Sequence, residues 1–169
     1  MPKLSVSEFM AKAKTIQFLA LDVDGVLTDG RIVVNSLGEE AKCFNVKDGH
    51  GIVLALRAGL RIAWVSGRFS EVTNIRAREL GVGMVVQGEG SKLAVVKRLA
   101  GELAIPMENV AFIGDDVVDL DAMGAVGLPI AVADALPEVI DAAVWVTCAK
   151  GGHGAVREIL DMVRRAKDK

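Results

Sequence analysis

Residues 18–30 read Phe-Leu-Ala-Leu-Asp-Val-Asp-Gly-Val-Leu-Thr-Asp-Gly, an apolar run that leads into two carboxylates, Asp22 and Asp24, and a turn at Gly25. The run predicts a buried strand. Because alternate residues of an extended chain face the same way, the two carboxylates can converge just beyond its carboxyl end. Ligands bind at that end of the strands in open α/β sheets.

Two carboxylates in this position favour phosphoryl transfer. One can act as a nucleophile and the other as an acid, provided that a cation screens their mutual repulsion. The alternative is a strand that ends in an ordinary Asp-Gly turn.

The composition predicts one α/β domain over residues 1–169. Hydrophobic residues make up 51% of the 169 residues and aromatic residues only 4%, so aliphatic side chains form the core. This is typical of parallel strands that are buried on both faces. The sequence contains 20 Lys and Arg and 22 Asp and Glu, so it has no excess of positive charge. We therefore expect no nucleic-acid partner.

We expect a cytoplasmic protein with no membrane partner. No run of the sequence approaches the roughly 18 apolar residues that a membrane span requires, and the first residues show no sustained apolar stretch. Cys43 and Cys148 have no ligand-like spacing and are expected to be reduced thiols.

Alternating β-rich and helical patterns predict a doubly wound, Rossmann-like parallel sheet with helices on both faces. The predicted strands are residues 16–21, 61–66, 83–86, 110–114, 128–132 and 143–146. The predicted helices are residues 7–14, 48–59, 70–80, 91–104, 117–123 and 154–166.

One segment breaks this alternation. Residues 30–35 and 39–46 have β-like composition and flank a turn. This pattern predicts a β-hairpin inserted after the first strand. The alternative is an irregular surface loop. No insertion is long enough to form a cap domain. Closure over the site would therefore come from the hairpin, the chain ends or another subunit.

Further polar groups follow two other strands. Ser66 and Arg68 offer a hydroxyl and a guanidinium to a phosphate. Asp115, Asp116 and Asp119 lie within one turn after residues 110–114. Clustered acids repel unless they bind a cation or a lysine, and hard oxygen ligands suit Mg²⁺. An alternative for Asp119 is a helix-start carboxylate that the helix dipole stabilises.

Lys92 follows a Gly-rich stretch at the start of a predicted helix. A cation there, held over the acidic cluster, would meet a phosphoryl group; the alternative is an ordinary surface lysine. In chain order, Asp22-x-Asp24, Ser66-Gly67-Arg68, Lys92 and Gly114-Asp115-Asp116-x-x-Asp119 resemble the four motifs of the haloacid dehalogenase superfamily of phosphatases.

Three further stretches, residues 25–30, 44–49 and 151–158, look like those of the capless 3-deoxy-D-manno-octulosonate 8-phosphate phosphatases of lipopolysaccharide-sugar synthesis. The resemblance extends from about residue 14 to residue 160. In that family the C-terminal stretch commonly carries Arg where this chain has His153.

The resemblance implies a role for each motif residue. Asp22 would attack phosphorus and form an aspartyl-phosphate, and Asp24 would protonate the leaving oxygen and then activate water. Ser66 and Lys92 would hold the phosphoryl oxygens. Mg²⁺ would be bound by Asp22, the backbone carbonyl of Asp24, and Asp115.

The resemblance also implies residues around the reacting centre. Asp116 and Asp119 would orient metal-bound water or Lys92. Six residues would contact the phosphorylated sugar acid: Lys47, Arg68, Arg76, Arg78, His153 and Arg157. For Arg76 and Arg78, a solvated helix face is the alternative. Members of this subgroup are homo-oligomers, tetramers in which hairpins and tails complete adjacent sites, and the resemblance implies the same here.

Three other functions remain open. Related capless phosphatases act on nine-carbon, sialic-acid-type 9-phosphates, but they tend to carry Glu where this chain has Arg68. A non-catalytic, receiver-like binding module also combines acids, a hydroxyl and a lysine, although it lacks an equivalent of Asp24 and the hairpin. The third is a domain that serves oligomerisation in a larger synthetase.

Overall fold

A computed structural model describes residues 3–168 and is built around a parallel sheet. Its strands are β1 (Phe18–Leu21), β2 (Val33–Val34), β3 (Glu40–Ala41), β4 (Arg61–Ser66), β5 (Met84–Gln87), β6 (Val110–Gly114), β7 (Leu128–Ala131) and β8 (Trp145–Val146). Six of them form one sheet in the order β5-β4-β1-β6-β7-β8, and every pair in it is parallel. β2 and β3 pair separately as an antiparallel hairpin.

The helices are α1 (Val6–Thr15), α2 (Val46–Arg57), α3 (Glu71–Leu80), α4 (Lys92–Glu102), α5 (Leu120–Met123), α6 (Pro137–Ala142) and α7 (Ala155–Lys167). The chain moves outward from β1 to β5 through α2 and α3, and crosses back from β5 to β6 through α4. Because crossovers between parallel strands are right-handed, α4 lies on the face of the sheet opposite to α2 and α3. α5 packs beside α4, and α7 packs against α1 and α2. The predicted doubly wound fold is confirmed. No helix among the described residues has the length and apolar character needed to cross a bilayer.

The centre of the sheet is apolar on both faces. Every residue of β1, β6 and β7 is buried, and Trp64, Phe18 and Phe112 are among the largest fully buried side chains. β1 lies between β4 and β6, where the strand order reverses direction. A crevice forms at such a switch point, so the carboxylates that follow β1 lie at its centre.

The hairpin is present, but its strands are shorter than predicted. Val33 pairs with Ala41 and Val34 with Glu40. The Asn35 side chain closes the turn by accepting hydrogen bonds from the backbone N–H groups of Leu37 and Glu39, each at 2.9 Å. The prediction that the second strand reaches residue 46 is wrong.

Other differences concern the helices. The Asn45 side chain accepts from the N–H groups of Lys47 and Asp48, so α2 begins at Val46, two residues before the predicted start. The predicted helix over residues 117–123 divides into a 3₁₀ turn, Val117–Asp119, and α5. α6 was not predicted because six residues give too little periodicity.

Candidate active site

A cleft of about 270 Å³ opens at the carboxyl ends of β1, β4 and β6. It brings together residues far apart in the sequence: Asp22, Asp24, Ser66, Arg68, Lys92 and Asp116 line it, together with Gly30, Ile32, Gly67 and Val118. The convergence follows from the parallel sheet, since parallel strands end at the same edge.

Lys92 is buried beside two of the carboxylates. Its Nζ lies 2.9 Å from Asp22 Oδ2 and 2.6 Å from Asp119 Oδ1. Burial alone would lower the pKa of Lys92, but the charges of Asp22 and Asp119 and their hydrogen bonds raise it above its ordinary value. Lys92 therefore remains an ammonium group, and it is 6% exposed rather than solvated.

Asp119 supports the other residues of the cleft. While its Oδ1 accepts from Lys92 at 2.6 Å, its Oδ2 accepts from the backbone N–H groups of Asp115 at 3.0 Å and Asp116 at 3.2 Å. Both oxygens are therefore engaged, and the residue is fully buried. Asp119 fixes Lys92 and the turn that carries Asp115.

Asp22, Asp115 and Asp119 each direct a carboxylate oxygen to one place, and these oxygens lie within 4.8 Å of one another. Burial, reinforced by the charges of Asp22 and Asp119, raises the pKa of Asp115 to about 8. Burial and the charge of Asp119 raise the pKa of Asp22 to about 6, against the lowering effect of Lys92. Asp115 Oδ1 is buried with no hydrogen-bond partner.

These features fit a divalent cation with hard oxygen ligands. Asp115 offers a carboxylate oxygen with no hydrogen-bond partner, and Asp22 lines the cleft, so these two carboxylates could bind Mg²⁺. Both oxygens of Asp119 accept hydrogen bonds, and Asp119 is fully buried. The loop approaches closely here: a Cβ on Gly25 would lie 2.0 Å from Asp115 Oδ2, and Gly25 has φ +94°. Only glycine fits this position.

Asp24 contacts a residue that the sequence did not reveal. Lys42 Nζ lies 2.5 Å from Asp24 Oδ1, and the Lys42 side chain is 2% exposed. Asp24 Oδ2 is buried without a hydrogen-bond partner. The strand pattern of the hairpin contained the signal, since Glu40 and Lys42 are two residues apart and face the same way.

Ser66 and Arg68 form the turn after β4. The Ser66 hydroxyl donates to the Arg68 carbonyl at 2.9 Å and accepts from the Arg68 N–H at 3.2 Å. The Arg68 guanidinium lines the cleft and forms an ion pair with Glu40 of the hairpin.

Arg76 and Arg78, the two predicted substrate-contact residues on α3, lie outside this cleft. Arg76 pairs with Glu79 at 2.7 Å, and its guanidinium carbon lies 5.9 Å from the centre of the Phe44 ring. Arg78 pairs with Glu71 at 3.0 Å on the exposed side of the helix.

Lys47 and Arg157 also lie outside the cleft. Lys47 is exposed in the first turn of α2. Arg157 pairs with Asp161 at 2.8 Å, and its backbone N–H donates to buried Asp48 at 2.7 Å.

The Gly-rich segment before α7 packs on the loop after β1. Gly152 N–H donates to the Val26 carbonyl at 2.9 Å, and a Cβ on Gly151 would lie 1.7 Å from the Gly25 carbonyl oxygen. His153 follows directly, with Nδ1 2.8 Å from the Gly151 carbonyl oxygen. This segment therefore supports the loop after β1.

The two raised pKa values predict how stability depends on pH without a metal. Asp22 and Asp115 bind protons more tightly in the folded state than in the unfolded state. Proton binding therefore contributes fully to the free energy of unfolding below about pH 4. This contribution is lost as the pH rises through about 6 for Asp22 and about 8 for Asp115. Without Mg²⁺, the free energy of unfolding of the wild type should fall over this range relative to that of Asp115→Asn. Urea unfolding at several pH values in chelator measures this difference.

Mg²⁺ should reverse this loss at pH 8. A ligand present at 100 times its dissociation constant stabilises the folded state by about 2.7 kcal/mol. The melting temperature of the wild type should therefore rise with Mg²⁺ concentration, and that of Asp115→Asn should rise less. Equal rises in the two proteins would show that Asp115 does not bind the ion.

Comparison with known proteins agrees with this geometry. A family model of haloacid dehalogenase-like hydrolases matches residues 61–159. The chain is 46% identical over 163 residues to the 3-deoxy-D-manno-octulosonate 8-phosphate phosphatase of Escherichia coli (strain B / BL21-DE3), a match that covers 96% of this chain and 87% of that relative.

Solved structures show the same fold. The phosphatase of that name from Moraxella catarrhalis, crystallised with a magnesium ion, a phosphate ion and a KDO molecule, matches with a TM-score of 0.95 and 37% identity over 97% of this chain and 94% of that chain. The cobalt-bound phosphatase from Haemophilus influenzae matches with a TM-score of 0.90 and 40% identity over 94% of this chain and 92% of that chain. The chain therefore belongs to the haloacid dehalogenase-like hydrolases and, among them, to the family of the 3-deoxy-D-manno-octulosonate 8-phosphate phosphatases.

Proposed function

We propose that this protein is a Mg²⁺-dependent phosphatase that hydrolyses 3-deoxy-D-manno-octulosonate 8-phosphate to the free sugar acid (KDO) and phosphate. One observation carries the proposal: Asp22 lies at the carboxyl end of the central strand, 2.9 Å from the buried ammonium of Lys92 and two residues before Asp24. The Escherichia coli relative that is 46% identical is named for this activity.

The side chains account for both halves of the reaction. A carboxylate oxygen of Asp22 attacks phosphorus and the bond from phosphorus to the sugar oxygen breaks, while Asp24 gives its proton to that oxygen. Asp24 then takes a proton from water, whose oxygen attacks phosphorus and breaks the bond to Asp22. Lys92 and Ser66 hold the phosphoryl oxygens. Bound Mg²⁺ supplies positive charge that offsets the charge gathered on the phosphoryl group.

Phosphate release from a panel of sugar phosphates, with Mg²⁺ and with excess chelator, tests this function. The highest kcat/KM is expected for the octulosonate 8-phosphate, and only with Mg²⁺. A higher kcat/KM for a nine-carbon 9-phosphate would assign the protein to the sialic-acid type of substrate. Undiminished activity in chelator, or none on any ester, would refute the mechanism.

Arg68 is proposed to bind the substrate carboxylate. It lines the cleft beside Ser66, and a guanidinium binds a planar carboxylate through two parallel hydrogen bonds. Arg68→Ala should raise KM for the octulosonate 8-phosphate at least about tenfold, the effect of losing a charge-assisted contact, and should change KM for phenyl phosphate much less. An equal rise for both substrates would place Arg68 at the phosphoryl group or in the fold instead.

We also propose that the chain forms a homo-oligomer, a tetramer, through residues 30–46. Ile32, Val33, Val34 and Leu37 are 61%, 52%, 52% and 81% exposed on the hairpin, and contiguous exposed apolar groups are typical of an interface. His153 and Arg157 are not among the residues that line the cleft of their own chain, and we propose that they contact substrate in a neighbouring subunit's site.

Light scattering at micromolar concentration measures the oligomeric state. The wild type is expected to be a tetramer, and Val34→Asp is expected to dissociate because it places a charge in the contact. Glu39→Gln, on the same hairpin, serves as the control. A monomer mass for the wild type would contradict the proposal. The cytoplasmic location and the single domain over residues 1–169 remain predictions.

A further inference from the structure

Four alternating charges connect the acid–base residue to the guanidinium that faces the cleft. Asp24 Oδ1 lies 2.5 Å from Lys42 Nζ, and Lys42 Nζ lies 4.0 Å from Glu40 Oε1. The same oxygen of Glu40 accepts from the Arg68 guanidinium. Glu40 therefore lies between two cations, Lys42 and Arg68.

Burial differs along this chain of charges. The side chain of Lys42 is 2% exposed, that of Glu40 17% and that of Arg68 42%. A buried ammonium is stable only with a carboxylate partner. Among the described residues, Asp24 and Glu40 are the carboxylates within 4.0 Å of Lys42 Nζ. Lys42 can therefore loosen its contact with Asp24 only if Glu40 takes its place.

Arg68 lies at the solvent end, where an incoming anion arrives first. In the free protein its guanidinium is already neutralised by Glu40. A substrate carboxylate that binds Arg68 must displace this internal carboxylate. The displaced Glu40 then has Lys42 as its remaining cation, 4.0 Å away.

We propose that Glu40 is a specificity-determining residue: it occupies Arg68 in the free protein, is displaced by the substrate carboxylate, and then pairs with Lys42, which loosens its hold on Asp24. This inference rests on the proposed function, because it requires that the substrate carboxylate binds Arg68. Only ion pairs are exchanged, and no covalent bond changes. Lys42 is a positioning residue, and Glu40 links binding of the acid group to the freedom of Asp24.

A phosphate ester without a carboxylate leaves the four ion-paired side chains as they are in the free protein. Glu40 remains on Arg68 and Lys42 remains on Asp24, so the acid–base residue stays restrained. This exchange of ion pairs therefore favours hydrolysis of sugar acid phosphates over that of simple phosphate esters, although the cleft has room for both.

Glu40→Gln tests the inference, because glutamine keeps the shape and removes the charge. Without the internal competitor, KM for the octulosonate 8-phosphate should fall about twofold to fivefold relative to KM for phenyl phosphate, the strength of a partly exposed ion pair. Because the neutral amide of this variant cannot attract Lys42, kcat for the sugar acid phosphate should also fall relative to kcat for phenyl phosphate. A joint fall of KM and kcat for the sugar acid phosphate would show both effects: loss of the carboxylate that competes for Arg68, and continued restraint of Asp24 by Lys42.

Glu39→Gln is the matched control, since Glu39 is exposed on the same hairpin and its carboxylate accepts from Asn35; both ratios should remain as in the wild type. A second measurement is calorimetric titration with free KDO. Glu40→Gln should bind it about twofold to fivefold more tightly, and the same change should have no effect in an Arg68→Ala background.

The possible outcomes separate this inference from the proposed function. An unchanged or raised KM ratio for Glu40→Gln, or an equal effect in the presence and absence of Arg68, overturns the role of Glu40 while wild-type hydrolysis of the 8-phosphate stands. Absence of that hydrolysis in the wild type refutes the proposed function itself.

Discussion

Asp22→Asn is expected to abolish turnover, with kcat reduced about 10⁴-fold or more, because the amide cannot form the covalent intermediate on which both steps depend. The fold should persist, since the substitution removes one negative charge that burial and the charge of Asp119 disfavour. Phosphate release and a thermal melt of the same sample measure both effects.

The control is Asp121→Asn, which makes the same chemical change at an exposed position on α5. This variant should keep wild-type kcat. Substantial turnover by Asp22→Asn would show that another group attacks phosphorus. A lower melting temperature for Asp22→Asn than for wild type in chelator would contradict the repulsion inferred from the geometry.

The second large effect is expected at Asp24. Asp24→Asn should lower kcat for the sugar acid phosphate about 10²-fold to 10⁴-fold, the usual contribution of a positioned acid–base group. The loss in the first step should be smaller for p-nitrophenyl phosphate, because its leaving group departs without a proton. Activation of water remains impaired for both esters, so this variant should release one burst of nitrophenol and then stall.

Rapid-mixing measurements of nitrophenol and phosphate distinguish the two steps. The burst should equal the enzyme concentration, and phosphate release should follow slowly. An equal loss of the first step for both esters would show that Asp24 does not protonate the leaving oxygen. A variant within about threefold of wild type would show that another group carries the proton, since this loss is far below the expected range.

The residues that sequence could identify are those fixed by the ends of the strands. Asp22 and Asp24 follow an apolar run, and Asp115 and Asp119 follow another, so the fold brings them together wherever the two strands are neighbours. This signal is local and was sufficient to predict the parallel sheet, the cleft and the magnesium chemistry.

The contacts that the sequence did not predict are made between side chains of different helices, strands and loops. The alternation of the hairpin indicates that Glu40 and Lys42 face the same way, but it does not indicate that they contact Asp24 and Arg68, because the path of the hairpin determines those pairs. The predicted second strand of the hairpin included Val46, which instead begins α2, because the Asn45 side chain supplies a helix cap and capping outweighed the strand propensity of Val46.

The contact between the C-terminal Gly-rich segment and the loop after β1 has a consequence for folding. Gly151 and Gly152 meet Gly25 and Val26 although the two segments lie near opposite ends of the chain. Contacts between distant segments form late, because a long loop of chain must be closed first. A nascent chain still on the ribosome can therefore form the inner strands while the loop after β1 has no support. Hydrolysis then begins only after Gly151 and Gly152 have been synthesised and have packed on this loop, which makes activity a sensitive measure of chains that have reached the native state.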